Sequence, residues 1–172
     1  MRARFALAAL VALCPLTAAC GLAPMYAGGS SAAVSQGLSA VDVPAIPGRG
    51  GWLLRNALNE RLTAGGERSA EYRLDVRIDD SLEALGVLND DTISRERRIL
   101  RTRYQLIELA SGEILLDATA GSDAGIDVVS SEYATIAAEQ TALENLAKEV
   151  ADRMATQIAL TLRERAATAS PQ

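Results

Sequence analysis

Between Tyr72 and Leu106 the chain alternates apolar and charged residues in a way that dictates local geometry. Tyr72, Leu74, Val76 and Ile78 interleave with Arg73, Asp75, Arg77 and Asp79, and a second run sets Leu100, Thr102, Tyr104 and Leu106 against Arg97, Arg101, Arg103 and Gln105. Successive side chains of a strand point to opposite faces, so each run predicts a strand that is apolar on one side and charged on the other. That pattern suits an antiparallel sheet with one face in water. Asn89-Asp90-Asp91 offers a turn between the two strands, and Ala110-Ser111-Gly112 a tighter one leading into Ile114, Leu116, Ala118 and Ala120. A short earlier strand is expected at Val41 and Val43, stopped by Pro44, Pro47 and a Gly48-Arg49-Gly50-Gly51 turn.

Two stretches change to a helical period. From Trp52, Leu54, Ala57, Leu58 and Leu62 share one stripe while Arg55, Asn59 and Glu60 take the other side, and Gly65-Gly66 supplies the stop. Beyond a connecting stretch from Gly121 to Ser131, Ile136, Leu143, Leu146, Val150, Met154 and Ile158 recur at three- and four-residue steps, predicting a helix from Glu132 to Arg165 that Ser130 or Ser131 caps. At 1.5 Å per residue it would be about 50 Å long. A strand of about 15 residues reaches a similar length. The helix can therefore run the length of the sheet. The expected fold is α+β, a two-layer sandwich in the order β-α-β-β-β-α: a four-stranded mixed, mostly antiparallel sheet with two helices packed on one face and the other face polar.

The N-terminus reads as an export signal. Arg2 and Arg4 precede the apolar run Phe5 to Leu13, and small residues follow up to Cys20. The run is far shorter than the roughly 20 residues that span a bilayer as a helix. Leu16-Thr17-Ala18-Ala19-Cys20 resembles a lipobox, with Thr17 at the place where leucine is usual and Leu16 one step further out. Residues 1–19 are expected to be a cleaved signal peptide, and Cys20 the site of lipid attachment. Two or more acyl chains make a stable membrane anchor, and Gly21 after the cysteine fits delivery to an outer membrane. Cys14 lies inside the signal and reads as a small hydrophobe. Residues 20–37, rich in glycine, serine and alanine, read as a flexible tether; residues 38–165 form the domain and 166–172 a frayed tail.

Composition narrows the function. Removing residues 1–19 takes two of the 17 basic residues and none of the 22 acidic ones, which leaves a net charge of −7. Such a chain is a poor nucleic-acid binder. With no histidine and one cysteine outside the signal, Ser-His and Cys-His nucleophiles, histidine metal sites and an internal disulfide are all excluded. Asp79-Asp80 and Asp90-Asp91 have no third ligand at a metal-binding spacing and read as solvated strand and turn residues. A small envelope hydrolase is therefore disfavoured, and no cofactor is expected apart from the covalent lipid on Cys20.

Three features together resemble one family: the cysteine followed by Gly21, the stretch IPGRGGWLLRNALNERL from Ile46 to Leu62, and the order of elements through the terminal helix. The chain is similar to the lipopolysaccharide-assembly lipoproteins of the LptE type. That resemblance implies a non-enzymatic lipoprotein on the periplasmic face of the outer membrane, which plugs and helps assemble a lipopolysaccharide-translocating β-barrel of the LptD type and binds lipopolysaccharide. A polar barrel lumen can hold a small charged domain. The alternative is an auxiliary lipoprotein of an envelope ABC-type lipid transport system.

One local anomaly in charge invites a ligand. Arg95, Arg97, Arg98, Arg101 and Arg103 stand with only Glu96 among them. At alternate positions, Arg95, Arg97, Arg101 and Arg103 form a ladder on the outer face of a strand. Guanidinium groups bind phosphate in bidentate fashion, so the ladder is a candidate contact for lipopolysaccharide or for acidic groups of a barrel wall. The plainer reading pairs the same arginines with Asp75 and Asp79 across a hairpin. Trp52 at the start of the helix reads as a core residue, with an anchor at a membrane or barrel surface as the alternative.

Overall fold

The computed structural model describes residues 30–63, 66, 68–87 and 93–169. Along them run helix α1 (Ser30–Ser39), strand β1 (Val41–Asp42), helix α2 (Gly48–Leu62), strands β2 (Tyr72–Val87), β3 (Ile93–Glu108) and β4 (Ile114–Asp127), and helix α3 (Glu132–Ala169). The strands form one sheet in the order β1-β2-β3-β4, with β1 parallel to β2 and the other two pairs antiparallel. This is the α+β, four-stranded mixed sheet that the alternation predicts. The signal segment, Cys20, the tether up to residue 29 and the Asn89-Asp90-Asp91 turn lie outside the described residues.

The core lies between the sheet and the helices. Leu74 of β2 and Leu100, Tyr104 and Leu106 of β3 are buried against Leu54, Leu58 and Leu62 of α2 and Leu143, Leu146, Val150, Met154 and Ile158 of α3. Fully burying one such aliphatic side chain contributes about 1.5–3 kcal/mol. Thr102 sits in the same buried row; its hydroxyl donates to the Ala120 carbonyl at 3.1 Å and lies 3.7 Å from the Met154 sulfur, so it is satisfied without water. The helix layer also closes over one ion pair. Arg98, on the core-facing side of β3, grips Asp80 of β2 at 2.9 and 2.8 Å and reaches the Glu139 carbonyl of α3 at 3.4 Å.

Four boundaries differ from the sequence reading, each for a physical reason. The tether contains α1, whose small residues carry no strong apolar stripe. The helix is held by packing against α3: a Cβ on Gly37 would lie 3.2 Å from Leu162 Cδ1. The Gly48-Arg49-Gly50-Gly51 segment is the first turn of α2, not a loop, because its glycines allow close approach; a Cβ on Gly51 would come within 2.6 Å of the Ile46 carbonyl oxygen. Strand β4 continues through Gly121 to Asp127, a stretch that pairs with Arg95 to Arg101 of β3. Ser122, Ala124 and Ile126 still alternate toward the helix side there, though Gly121, Ser122 and Gly125 weaken the apolar signal. Helix α3 extends past Arg165 to Ala169 because its last turns still have α1 to pack on. Ser131, as expected, caps α3, accepting from the Ala134 N–H at 3.4 Å. Trp52, on the outer side of α2, is 60% exposed and is not a core residue.

Gly51→Ala is expected to lower the unfolding free energy by about 1–3 kcal/mol through overpacking against rigid backbone. Gly125→Ala, where a Cβ meets open space, should change it by less than about 0.5 kcal/mol. Urea denaturation of the two variants gives the comparison.

Candidate functional site: a basic concavity on the open sheet face

Burial of Leu100, Thr102, Tyr104 and Leu106 beneath the helices turns the odd-numbered residues of β3 to the open face. Arg95, Arg97, Arg101 and Arg103 therefore share that face, with Ile99 between Arg97 and Arg101. Arg98, the remaining member of the cationic cluster, points the other way to Asp80.

The ladder is divided between paired and free arginines. Arg95 Nε donates to Asp127 at 3.0 Å, and Arg97 Nε lies 3.7 Å from Asp123. Arg103 makes a bidentate pair with Asp117 at 3.1 and 2.9 Å, and Gln105 adds a third donor to the same carboxylate at 2.8 Å. All three acids come from β4. The cross-strand partners expected on β2 do not serve: Asp75 pairs with Arg73 on its own strand, and Asp79 stands opposite Arg101 in register without forming an ion pair. Arg101 itself has no hydrogen bond or ion pair among the described residues.

The structure adds a residue that the sequence reading did not single out. Arg77 of β2 lies directly across from Arg103, and it too has no hydrogen bond or ion pair among the described residues. Like charges directly opposed across a sheet are destabilising. Arg77, Arg101 and Arg103 thus crowd three guanidinium groups onto one stretch of surface with a single carboxylate engaged. Together with Arg97, Ile99 and Thr119 they line a concavity of about 630 Å³. Gly121, opposite Arg101, keeps it open, since a Cβ there would sit 3.2 Å from Arg101 Cγ. Asp79 and Asp123 lie on its rim.

The arrangement suits an anion with several oxygens. No group of three metal-ligating side chains occurs among the described residues. The hydrogen bonds from Arg103 and then Gln105 hold the Asp117 carboxyl below the ordinary aspartate range, and the same contact raises the Arg103 guanidinium.

The family model for lipopolysaccharide assembly, LptE, matches residues 38–158. The chain belongs to that family. Solved structures agree in fold with this LptE-family chain. A lipoprotein from Caulobacter crescentus shares 28% identity at a TM-score of 0.65, over 78% of this chain and 98% of that one. Rare lipoprotein B from Shewanella oneidensis shares 12% at a TM-score of 0.58, over 71% and 93%, and a minor lipoprotein from Acinetobacter baumannii 17% at 0.53, over 70% and 88%. No curated protein sequence matches the chain. The LptE match covers the strands that carry the arginines and most of α3, so the basic concavity lies within the matched domain of this chain.

Because the folded carboxyl is depressed, the Asp117–Arg103 contact contributes stability above the unfolded aspartate value of about 3.9. That contribution is lost as pH falls through the folded value. Carboxyl-detected NMR should show Asp117 titrating below that value in the LptE-family domain, and Arg103→Gln should move its midpoint back up. An unshifted Asp117 in the parent domain would contradict the geometry.

Proposed function

We propose that this protein is a lipid-anchored, non-enzymatic assembly factor of the outer membrane. In this reading it fills the lumen of a lipopolysaccharide-translocating β-barrel of the LptD type, and it presents the arginines of its open sheet face to the phosphates of lipopolysaccharide. The supporting observation is the pair of free guanidinium groups, Arg77 and Arg101, next to Arg103 in an open concavity of an LptE-family domain. Guanidinium forks match phosphate oxygens, and an anion seated among three cations relieves their mutual repulsion.

Family membership favours this reading over the auxiliary lipoprotein of an ABC-type transporter. Lipid on Cys20 would hold the domain at the periplasmic face, leaving the polypeptide free to serve the barrel and the ligand. An acylated N-terminal peptide in the mass spectrum of the mature protein is the check on that anchor. Arg95, paired with Asp127 and outside the concavity, would contribute less to the ligand than Arg77 and Arg101.

The test is binding of lipopolysaccharide by the purified mature domain. A hydrogen bond to a charged group contributes about 1.5–3 kcal/mol, so Arg101→Glu with Arg103→Glu should weaken binding by at least about tenfold. Arg95→Glu, outside the concavity, should cost less. Unchanged binding by the first pair would refute the ligand role. Failure of the parent protein to co-purify with a β-barrel from solubilised outer membranes would refute the plug.

A further inference from the structure

The sheet has two edges, and they are treated differently. Along β4, Arg153 of α3 donates to the Gly121 carbonyl and is itself held by Glu149 at 2.6 Å, so a side chain closes the middle of that edge. On the other side, β1 is two residues long and covers only Tyr72 and Arg73 of β2. Pro44 to Ile46 then border a cleft beside Leu74 to Arg77. From Ile78 to Val87, β2 has no neighbouring strand on that side among the described residues.

Backbone alternation identifies the unpaired groups. The Tyr72 N–H donates to the Ala40 carbonyl at 3.1 Å, on the side of β1. In an antiparallel pair successive residues direct their N–H and C=O groups to opposite sides, so Ile78, Asp80, Leu82 and Ala84 direct theirs away from β3. No hydrogen bond among the described residues reaches those outward groups. An open edge of this length is a template for another strand, and proteins that do not use such an edge block it.

The side chains along the edge describe what would fit. On the core-facing row Ile78 is half-buried, Leu82 is 44% exposed, and Asp80 is already taken by Arg98. On the open-face row Asp79 and Glu83 have no ion pair among the described residues, because Arg97, opposite Glu83, engages Asp123 instead. Leu85, further along, is 45% exposed.

We propose that the β2 edge from Ile78 to Val87 receives an extended segment of a partner protein as a fifth strand. Its apolar residues pack against Ile78 and Leu82, and its basic residues lie across from Asp79 and Glu83. Backbone hydrogen bonds supply the attachment and the alternation supplies the selectivity, which is the logic of strand addition. The site adjoins the arginine concavity and shares Ile78 and Asp79 with it, but its attachment is through the outward backbone groups of β2, so it stands whether or not lipopolysaccharide binds there.

The test uses the mature domain and two ten-residue peptides with blocked ends, one alternating valine and lysine, the other valine and glutamate. The lysine peptide should bind about tenfold more tightly, slowing hydrogen exchange at the amides of Leu82 and Ala84. Asp79→Lys with Glu83→Lys should reverse the preference. Leu82→Pro should abolish binding with the fold intact, because the lost N–H faces outward. If neither peptide protects β2, or if protection falls on β4, the proposal is overturned. It is equally overturned if the free protein sediments as a dimer with these amides already protected, since a second copy would then be the occupant.

Discussion

Strand β3 determines the rest, because it is an interior strand and can choose its face only once. Leu100, Thr102, Tyr104 and Leu106 must lie under α3, and the strand period of two then sends Arg95, Arg97, Arg101 and Arg103 to water. A slip of one residue would bury four guanidinium groups and expose the core, so the register is strongly specified. The length of α3 follows from the same requirement. A sheet of two 16-residue strands needs a cover along its whole length, and a 38-residue helix provides it.

Having one covered face makes the other available, and its charges are left incompletely matched. Acids of β4 meet Arg95, Arg97 and Arg103, while Arg77 and Arg101 beside them have no partner among the described residues. On the helix-covered face of the sheet, by contrast, Arg98 and Asp80 form a mutually satisfied pair. The same residue type thus has a structural role on one side of β3 and is poised for an anion on the other. In an acidic LptE-family protein, a local surplus of cations that the described residues do not neutralise is the feature on which the proposed contact with phosphate-bearing lipid rests.

Much of this was legible from the sequence, because periodicity determines which face a residue takes. The three long strands, both main helices and the face of the ladder follow from alternation alone. The far half of β4 did not, since Gly121, Ser122 and Gly125 mask the alternation that ends on the buried Ile126, and pairing with β3 makes it a strand. Arg77 went unnoticed for want of a register, yet a signal existed: Arg77 and Arg103 are equidistant from Asp90 in the sequence, as a hairpin centred there requires. The choice of β4 over β2 as the source of the acids depends on side-chain reach, which a one-dimensional pattern does not encode. The glycines at the start of α2 look like breakers until Ile46 and Asp80 are seen lying against them. Exposure of Trp52 depends on which side of α2 meets the sheet, and an indole suits either side.

The central claim is that phosphate meets the free guanidinium groups of the open face. Its most direct measurement is arginine side-chain NMR of the mature domain during titration with bis-phosphorylated lipid A and, separately, with its dephosphorylated form. The Nε–H resonances of Arg77, Arg101 and Arg103 should shift with the phosphorylated lipid alone, while Arg98, locked to Asp80, stays in place. Equal shifts with both lipids, or shifts confined to the helix layer, would contradict the account.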